Sequence, residues 1–308
     1  MRITKLLRIS IGLVLCGTFI QISPAYSEND KREKLKMMIE ASCRSRRPSE
    51  SMRIKWKRFS PHWGSAIIGK CKQGKKESSK SLLSETEVDH YSATLSGRSS
   101  RIDIVRNVYK TGDVNKPPDA VKYENYVFDG FCTRSFNQVK GSKVKQGVIV
   151  SANVNDSILR SSLWEMGFNL CAPGLADDLN VTLKETQDPN IYIVDYFSPK
   201  TRWIDRMTID TGKQCQVIKF ENIKRDGSYD YVIDYTYKKH PNGTWFLDSW
   251  EKRRYSIRDK NGNPGVEAAA KVEDVEFDIQ VPEETLKLKY PKGTRISDSQ
   301  TDQTYIVE

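Results

Sequence analysis

The sequence predicts a mainly β protein with a few helices, in which an apolar helix covers a curved antiparallel sheet. Apolar and polar residues alternate along short segments such as residues 275–281, and a period of two places the apolar side chains on one face. Turn dipeptides such as Asp226-Gly227 and Asn242-Gly243 separate these segments. Short strands joined by hairpin turns predict an antiparallel meander and not parallel β-α-β units.

The first 27 residues predict a secretory signal peptide. Basic residues within positions 2–8 precede an apolar run over residues 9–22, and Ala25 and Ser27 supply the small residues of a cleavage site. Cleavage after Ser27 would place the mature chain in the periplasm or the cell envelope. The apolar run is too short and too poorly flanked for a good membrane span. An uncleaved N-terminal anchor stays open as an alternative.

Charge and pattern divide the mature chain into two predicted regions. Residues 28–118 hold 21 Lys and Arg against 11 Asp and Glu, whereas residues 119–308 hold 26 against 29. We expect residues 28–87 to form a basic N-terminal region with one helix and one strand. Residues 88–308 are expected to form the antiparallel domain, with a lid helix near residues 155–170.

The basic region begins with a predicted helix over residues 29–41, which has one apolar stripe and a cap at Asn29 or Asp30. The strand that follows the next loop alternates its side chains. Ile54 and Trp56, with Arg58 as a further candidate, face away from the lysines and arginine between them.

Two later segments have helical rather than strand-like patterns. Apolar residues at helical spacing predict a helix from about residue 155, which ends before Pro173-Gly174. The alanine-rich residues 265–273 predict a second, short helix before the terminal strands.

The cysteines of the mature chain are expected in an oxidising compartment, where disulfides persist. Pairing of sequential neighbours, Cys43 with Cys71 and Cys132 with Cys171, is the simplest hypothesis. The sequence does not fix the connectivity, and one of the five thiols, Cys215 in this scheme, is left over.

Four segments of the second region resemble a known family: "VFDGFCTRSF", "TGKQCQVIKF", "NGTWFLDSW" and "VPEETLKLKYPKGTRISD". They are similar to the strand-turn-strand and terminal segments of the bacterial half-barrel superfamily. This superfamily includes the periplasmic outer-membrane lipoprotein carriers and the sensor domains that regulate anti-sigma factors. The resemblance spans about Tyr91 to Val307, and it implies a curved antiparallel half-barrel.

Aromatic residues that share one face of the predicted strands suggest what the half-barrel does. We expect it to bind an apolar or acylated ligand without catalysis, as a carrier or a sensor, or else to pack shut. The predicted ligand-binding residues come from the lid helix and the sheet: Trp164, Phe168, Trp203, Tyr231, Tyr235 and Trp245.

The basic region supports an alternative, because a typical carrier of this family lacks it. In this alternative the core is closed, and the chain is an envelope scaffold that contacts anionic lipid or another envelope polymer. The expected contact residues are cationic: Arg46, Arg47, Arg53, Lys55 and Lys57. A solvated basic strand, which would also block edge pairing, explains the same residues equally well. Export argues against nucleic acid as the partner.

The sequence gives little support for an enzyme. Its three histidines, His62, His90 and His240, are far apart, and it contains no nucleophile-elbow, zinc-protease or phosphate-loop motif. We therefore predict no catalytic residues, no metal and no cofactor. A hydrolase whose site is assembled only in three dimensions stays open as a third alternative.

Overall fold

A computed structural model describes residues 28–46, 49–63, 83–110, 112–164, 180–258 and 263–308. The predicted signal peptide, Arg47, Phe168 and three of the cysteines' side chains (Cys43, Cys71 and Cys171) lie outside this description. The strands of the described part form one sheet. Their bounds are β1 Ser51–Trp63, β2 Leu83–Ser96, β3 Ser99–Tyr109, β4 Ala120–Phe128, β5 Thr133–Val139, β6 Lys145–Val150, β7 Val181–Glu185, β8 Ile191–Phe197, β9 Ile204–Asp210, β10 Gln216–Ile223, β11 Tyr229–Lys239, β12 Trp245–Arg258, β13 Pro264–Phe277, β14 Arg295–Asp298 and β15 Gln303–Ile306.

Two meanders, β2 to β6 and β7 to β13, make up most of this sheet, and β1 joins them. The strand order is β15-β14-β6-β5-β4-β3-β2-β1-β13-β12-β11-β10-β9-β8-β7. In the described part every neighbouring pair is antiparallel except β14 with β6, which is parallel. The sheet is curved and does not close, so the predicted antiparallel half-barrel is confirmed.

The basic N-terminal region is part of this sheet. Strand β1 pairs with β2 on one side and with β13 on the other, so it lies in the middle of the sheet and not at an edge. The boundary expected between residues 87 and 88 falls inside β2. The charge contrast between residues 118 and 119 falls in the connection from β3 to β4, which are adjacent strands of the same sheet.

Two helices pack on the concave face. Helix α1 (Glu28–Arg46) buries Leu35, Met38 and Ile39, which lie on one stripe, and contacts β7, β10 and β12. Helix α2 (Val154–Leu159) continues as a π-helical turn over Arg160–Trp164 and contacts β3 and β4. Short 3-10 turns occupy Thr211–Lys213 and Glu283–Leu286. No helix in the described ranges is long and apolar enough to cross a membrane.

Helix α2 covers the sheet through specific contacts as well as burial. The side chain of Asn153 caps the helix by accepting a hydrogen bond from the Asp156 N–H at 3.2 Å. The buried Asn155 amide donates to the carbonyl and hydroxyl oxygens of Ser100 on β3. At the other end, the indole N–H of Trp250 donates to the Leu163 carbonyl at 2.8 Å.

The alanine-rich segment is a strand, and the helix predicted there is wrong. Ala268 and Ala270 are buried on the concave face of β13, between β12 and β1. Alanine has high helix propensity, but propensity is a weak preference that tertiary pairing overrides. Two flanking strands supply β13 with backbone hydrogen bonds on both sides.

The C-terminal hairpin of β14 and β15 packs over a second, small core. Cys132, Ile149 and Ile296 form it, with Tyr290 partly buried beside them. Cys132 is buried in this core, and its sulfur lies 3.6 Å from an Asp129 carboxylate oxygen. Its expected partner Cys171 lies outside the described residues, so the pairing of these two cysteines stays a prediction.

Gly147 on β6 allows Tyr290 to pack against the sheet. A methyl group at this position would lie 2.6 Å from Cε1 of Tyr290 and 3.2 Å from Cγ1 of Ile296. We therefore expect Gly147→Ala to reduce the free energy of unfolding by about 1–3 kcal/mol through overpacking. Urea unfolding measures this loss.

A second substitution separates overpacking from a backbone effect at Gly147. If the clash with Tyr290 is the cause, Gly147→Ala should cost clearly less in a Tyr290→Leu background than in the natural chain. An equal cost in both backgrounds, or no cost in either, would contradict this account.

Candidate functional site

The concave face has an apolar end and a polar end. At the apolar end, buried aliphatic and aromatic side chains of β1, β2, β10 and β12 pack against the helices, among them Met52, Leu95 and Phe246. Toward the other end of this face the inward side chains of several strands become polar. They include Ser60 on β1, Glu87 and Asp89 on β2, Arg106 on β3, Glu124 on β4, Asp205 on β9 and Asn222 on β10.

Arg106 is the centre of this polar end. Its guanidinium nitrogens lie 3.3 Å from Asp89, 3.5 Å from Glu87 and 4.0 Å from Glu124. These carboxylates come from the two strands that flank β3, so one arginine joins three neighbouring strands. We call Arg58, Glu87, Asp89, Arg106 and Glu124 the concave charge cluster; Arg58 lies opposite Asp89 in the β1–β2 register.

Two tyrosines connect the concave charge cluster to the apolar core. The Tyr91 hydroxyl donates to Asp89 at 2.9 Å, and the Tyr126 hydroxyl donates to Glu124 at 3.0 Å. The ring of Tyr91 stacks on Trp56, with centroids 4.7 Å apart and planes 6° apart. The aromatic side chains therefore form a continuous path from the apolar end to the carboxylates.

Burial dominates the ionisation of this cluster. Asp89 is 2% exposed, and loss of water raises its pKa above the ordinary value of 3.8, although the Arg106 charge opposes the shift. Burial, reinforced by the Asp89 charge, also raises the pKa of the Tyr91 phenol. Asp205, at the same end of the sheet, has its pKa raised by burial as well. The polar end therefore holds carboxyl groups that water does not solvate well.

The structure brings three of the predicted ligand-binding residues to the concave core. Tyr235 is buried, while Trp164 and Tyr231 are partly buried and pack against the core. Tyr231 also stacks on Phe220 at 5.8 Å, and the Lys252 ammonium lies 4.7 Å from its ring centroid.

Trp203 and Trp245 lie elsewhere. Trp203 is in the turn before β9, where its carbonyl accepts a hydrogen bond from the Ser198 N–H. Trp245 begins β12 and lies beneath the Lys213 ammonium, 5.9 Å from the ring centroid. Trp245 keeps the same side of β12 as Leu247, but it is the first residue of the strand and lies opposite Lys239 near the end of β11.

Three of the predicted cationic contact residues, Arg53, Lys55 and Lys57, lie on the convex face, where carboxylates neutralise two of them. Arg53 pairs with Glu276 at 2.9 Å, and Lys55 lies 3.9 Å from Asp274. Both acids come from β13, directly opposite in register. Lys57 lines a shallow groove of about 430 Å³ with Phe59, Ala269 and Lys271. The side chain of Arg46 and all of Arg47 are outside the described residues.

Sequence reasoning missed the concave charge cluster. The alternation of β1 indicated that Arg58 shares a face with Ile54 and Trp56, and this was the available signal. The side chains that join Arg58 in the cluster come from other strands, β2 and β3 among them. These strands lie too far from β1 along the chain for a local sequence pattern to reveal the contact. In the described residues no group of three or more histidine, cysteine or acidic side chains could hold a metal ion.

Comparison with known proteins gives a likeness of fold. No protein-family model and no curated protein matches the sequence. The structure is similar to a domain from Vibrio parahaemolyticus assigned to outer membrane lipoprotein sorting, with 9% identity, a TM-score of 0.43, and coverage of 83% of this chain and 97% of that one.

Two further solved structures show the same kind of likeness. A LolA superfamily protein from Nitrosomonas europaea has 10% identity and a TM-score of 0.39 over 82% of this chain and 97% of its own. A DUF1329 family protein from Desulfovibrio piger has 9% identity and a TM-score of 0.39 over the same shares. At these scores and identities the likeness concerns the fold alone.

The buried Asp89 leads to a prediction about pH. Because its folded-state pKa is raised, the folded chain holds this proton to a higher pH than the unfolded chain does. Its contribution to the free energy of unfolding therefore falls as the pH rises from 3.8 through the raised value. Asp89→Asn should flatten this part of the pH profile, measured by urea unfolding between about pH 4 and 7.

Asp195 provides a control of opposite sign. Although burial opposes it, hydrogen bonds from Arg206 and Lys184 hold the pKa of Asp195 below its ordinary value. Its stabilisation is present above the unfolded-state pKa and is lost as the pH falls through the folded-state pKa. Asp195→Asn should therefore alter the acid limb of the profile, and identical effects of the two substitutions would contradict both assignments.

Proposed function

We propose that this chain is an exported, non-catalytic protein that binds an acylated or otherwise apolar amphiphile on the concave face of its half-barrel. The observation that supports this most is the division of that face into an apolar end and a polar end. A closed core needs no buried row of carboxylates and guanidinium groups, because burying charges costs free energy that hydrophobic packing avoids. An amphiphile has the same division within one molecule.

The middle of the concave face has the small side chains that such a ligand needs. Ala270 lies between Arg58 on β1 and Trp250 on β12, directly across the register. Ala268 is its inward-facing neighbour along β13. An acyl chain along this strand would contact methyl groups on one side and the Trp56 and Trp250 rings on the other.

A second candidate function is the closed-core envelope scaffold. The packing of five side chains onto the sheet favours it, because they occupy the apolar end: Leu35, Met38 and Ile39 from α1, Leu159 from α2 and Leu163 from the π-helical turn that follows α2. The pairing of Arg53 and Lys55 with acids of β13 weakens its anionic-surface contact. Both candidates share the fold and differ in whether an apolar ligand enters beneath the helices.

Native mass spectrometry of the mature protein, purified without detergent, distinguishes these candidates. Bound amphiphile should leave a mass increment that disappears after delipidation, and the delipidated protein should bind a fluorescent acyl probe. A spectrum of the bare chain together with no probe binding would favour the closed core.

Ala270 and Ala269 form a matched pair for testing the ligand seat, by which we mean the part of the concave face around Ala268, Ala270, Trp56 and Trp250. Ala270→Leu adds bulk on the concave face, whereas Ala269→Leu adds the same bulk on the convex face. We expect Ala270→Leu to weaken acyl-probe binding about tenfold, which corresponds to about 1.4 kcal/mol, and Ala269→Leu to leave it nearly unchanged. Thermal unfolding of both variants checks that the fold survives, and equal probe affinities would argue against a concave seat.

The ion pairs of β1 lead to a prediction for the scaffold candidate. We expect the unaltered mature chain to bind anionic vesicles weakly. The double variant Asp274→Asn, Glu276→Gln releases Arg53 and Lys55, and a cation near such a surface contributes about 1 kcal/mol. Two such contributions correspond to a rise in vesicle affinity of about thirtyfold at low salt, and this gain should decrease as salt is added.

The control removes the same charge far from β1. Asp298→Asn with Glu308→Gln changes the C-terminal hairpin region, at the opposite edge of the β1–β6 half of the sheet. An equal gain from this control would show that net charge, and not the β1 cations, determines vesicle binding.

A further inference from the structure

The indole N–H of Trp56 is a buried hydrogen-bond donor without a partner among the described residues. The side chain that carries it is 0% exposed. Buried tryptophan N–H groups usually have a partner, because an unpaired one loses its hydration without compensation. Trp250, the other fully buried tryptophan of the core, follows the rule by donating to the Leu163 carbonyl.

A second donor lies on the same face of the same strand. Ser60 is four residues beyond Trp56, and its buried hydroxyl also has no partner among the described residues. Because side chains alternate along a strand, Trp56, Arg58 and Ser60 form one inward-facing row. The row begins beside the apolar end and continues into the concave charge cluster.

The charge around this row restricts the ligand group that suits it. The concave charge cluster has two guanidinium groups and three carboxylates, and Lys122 lies on the same face opposite Arg106 in the β3–β4 register, so cations and carboxylates balance. Arg106 already faces three carboxylates, and Arg58 faces Asp89. A carboxylate or phosphate placed here would lose its hydration without an uncommitted cation to compensate, whereas an uncharged carbonyl oxygen accepts the same hydrogen bond at a lower desolvation cost.

We propose that Trp56 donates a hydrogen bond to the ester or amide carbonyl of an acylated ligand, so that uncharged acyl esters and amides bind better than free fatty acids or phosphate-bearing lipids. Ser60 lies about 13 Å farther along β1 and is placed to donate to the remainder of the head group. This inference rests on the proposed function, and it specifies the ligand class for that seat. The acyl chain extends from Trp56 toward the apolar end, and the remainder of the head group faces the polar end.

Displacement of a fluorescent acyl probe from the delipidated mature protein tests the proposal. Four ligands of equal chain length are compared: a monoacylglycerol, the alkylglycerol ether that lacks its carbonyl, the free fatty acid and the lysophosphatidic acid. We expect the monoacylglycerol to bind about five- to tenfold more tightly than the ether, as one additional hydrogen bond predicts. The two anionic ligands should bind more weakly than the ester.

Trp56→Phe removes the donor while it keeps an aromatic ring that can stack on Tyr91. This variant should lose most of the preference for ester over ether and bind the ether as the natural chain does. Trp203→Phe, a tryptophan change in the turn before β9, should leave the preference intact. Circular dichroism and thermal unfolding confirm that the two variants are folded.

The outcomes separate this inference from the proposed function. If none of the four ligands displaces the probe, or if the probe does not bind, the proposed function fails and this inference fails with it. If the ligands bind but ester and ether are equal, or the anionic ligands bind best, the donor role of Trp56 is overturned while the ligand seat stands. A loss of ester preference in Trp203→Phe of equal size would also overturn it.

Discussion

The pairing of β1 with β13 is the constraint on which the rest of the structure depends. Met52 pairs with Phe277 and Phe59 with Ala269, so a strand near the start of the chain is inserted beside one near its end. Without this pairing, β1 and β13 would be exposed edges of two separate sheets. With it, the sheet has a single concave face that α1 and α2 can cover together. Because such pairing joins distant segments, loop-closure entropy opposes it, and favourable burial on both sides of β1 must compensate.

The two faces of β1 have different chemistry as a consequence of its central position. On the convex face, Arg53 and Lys55 meet carboxylates of β13, so cations that seem available in the sequence are part of a cross-strand ion-pair ladder. On the concave face, Trp56 and Arg58 contact β2 and its buried Asp89. Surface pairs of the first kind contribute little free energy. Burial of groups of the second kind costs free energy that pairing only partly offsets, and this cost is the reason for the proposal that a ligand binds beside them.

Predictions from local pattern succeeded where the local pattern determines the structure. Alternation and turn dipeptides identified the antiparallel meander, and the stripe of Leu35, Met38 and Ile39 identified the buried face of α1. They failed where a neighbouring strand changes the outcome. The alanines of β13 prefer helix in isolation, yet β1 and β12 pair with them on both sides. Trp245 was placed by parity, but it lies at the start of β12, and Phe246, Leu247 and Trp250 of the same strand are the residues that enter the core.

The sequence by itself determined the class of fold and the identity of several core residues, because a period of two and a turn signal are properties of a few consecutive residues. It also indicated that Trp56 and Arg58 share one face of a strand. Only the tertiary structure decided that Glu87, Asp89, Arg106 and Glu124 meet on that face, since their proximity depends on the register of three strands. It likewise decided which cations are neutralised and which donor lacks an acceptor, because burial and pairing are properties of the assembled sheet and not of any segment.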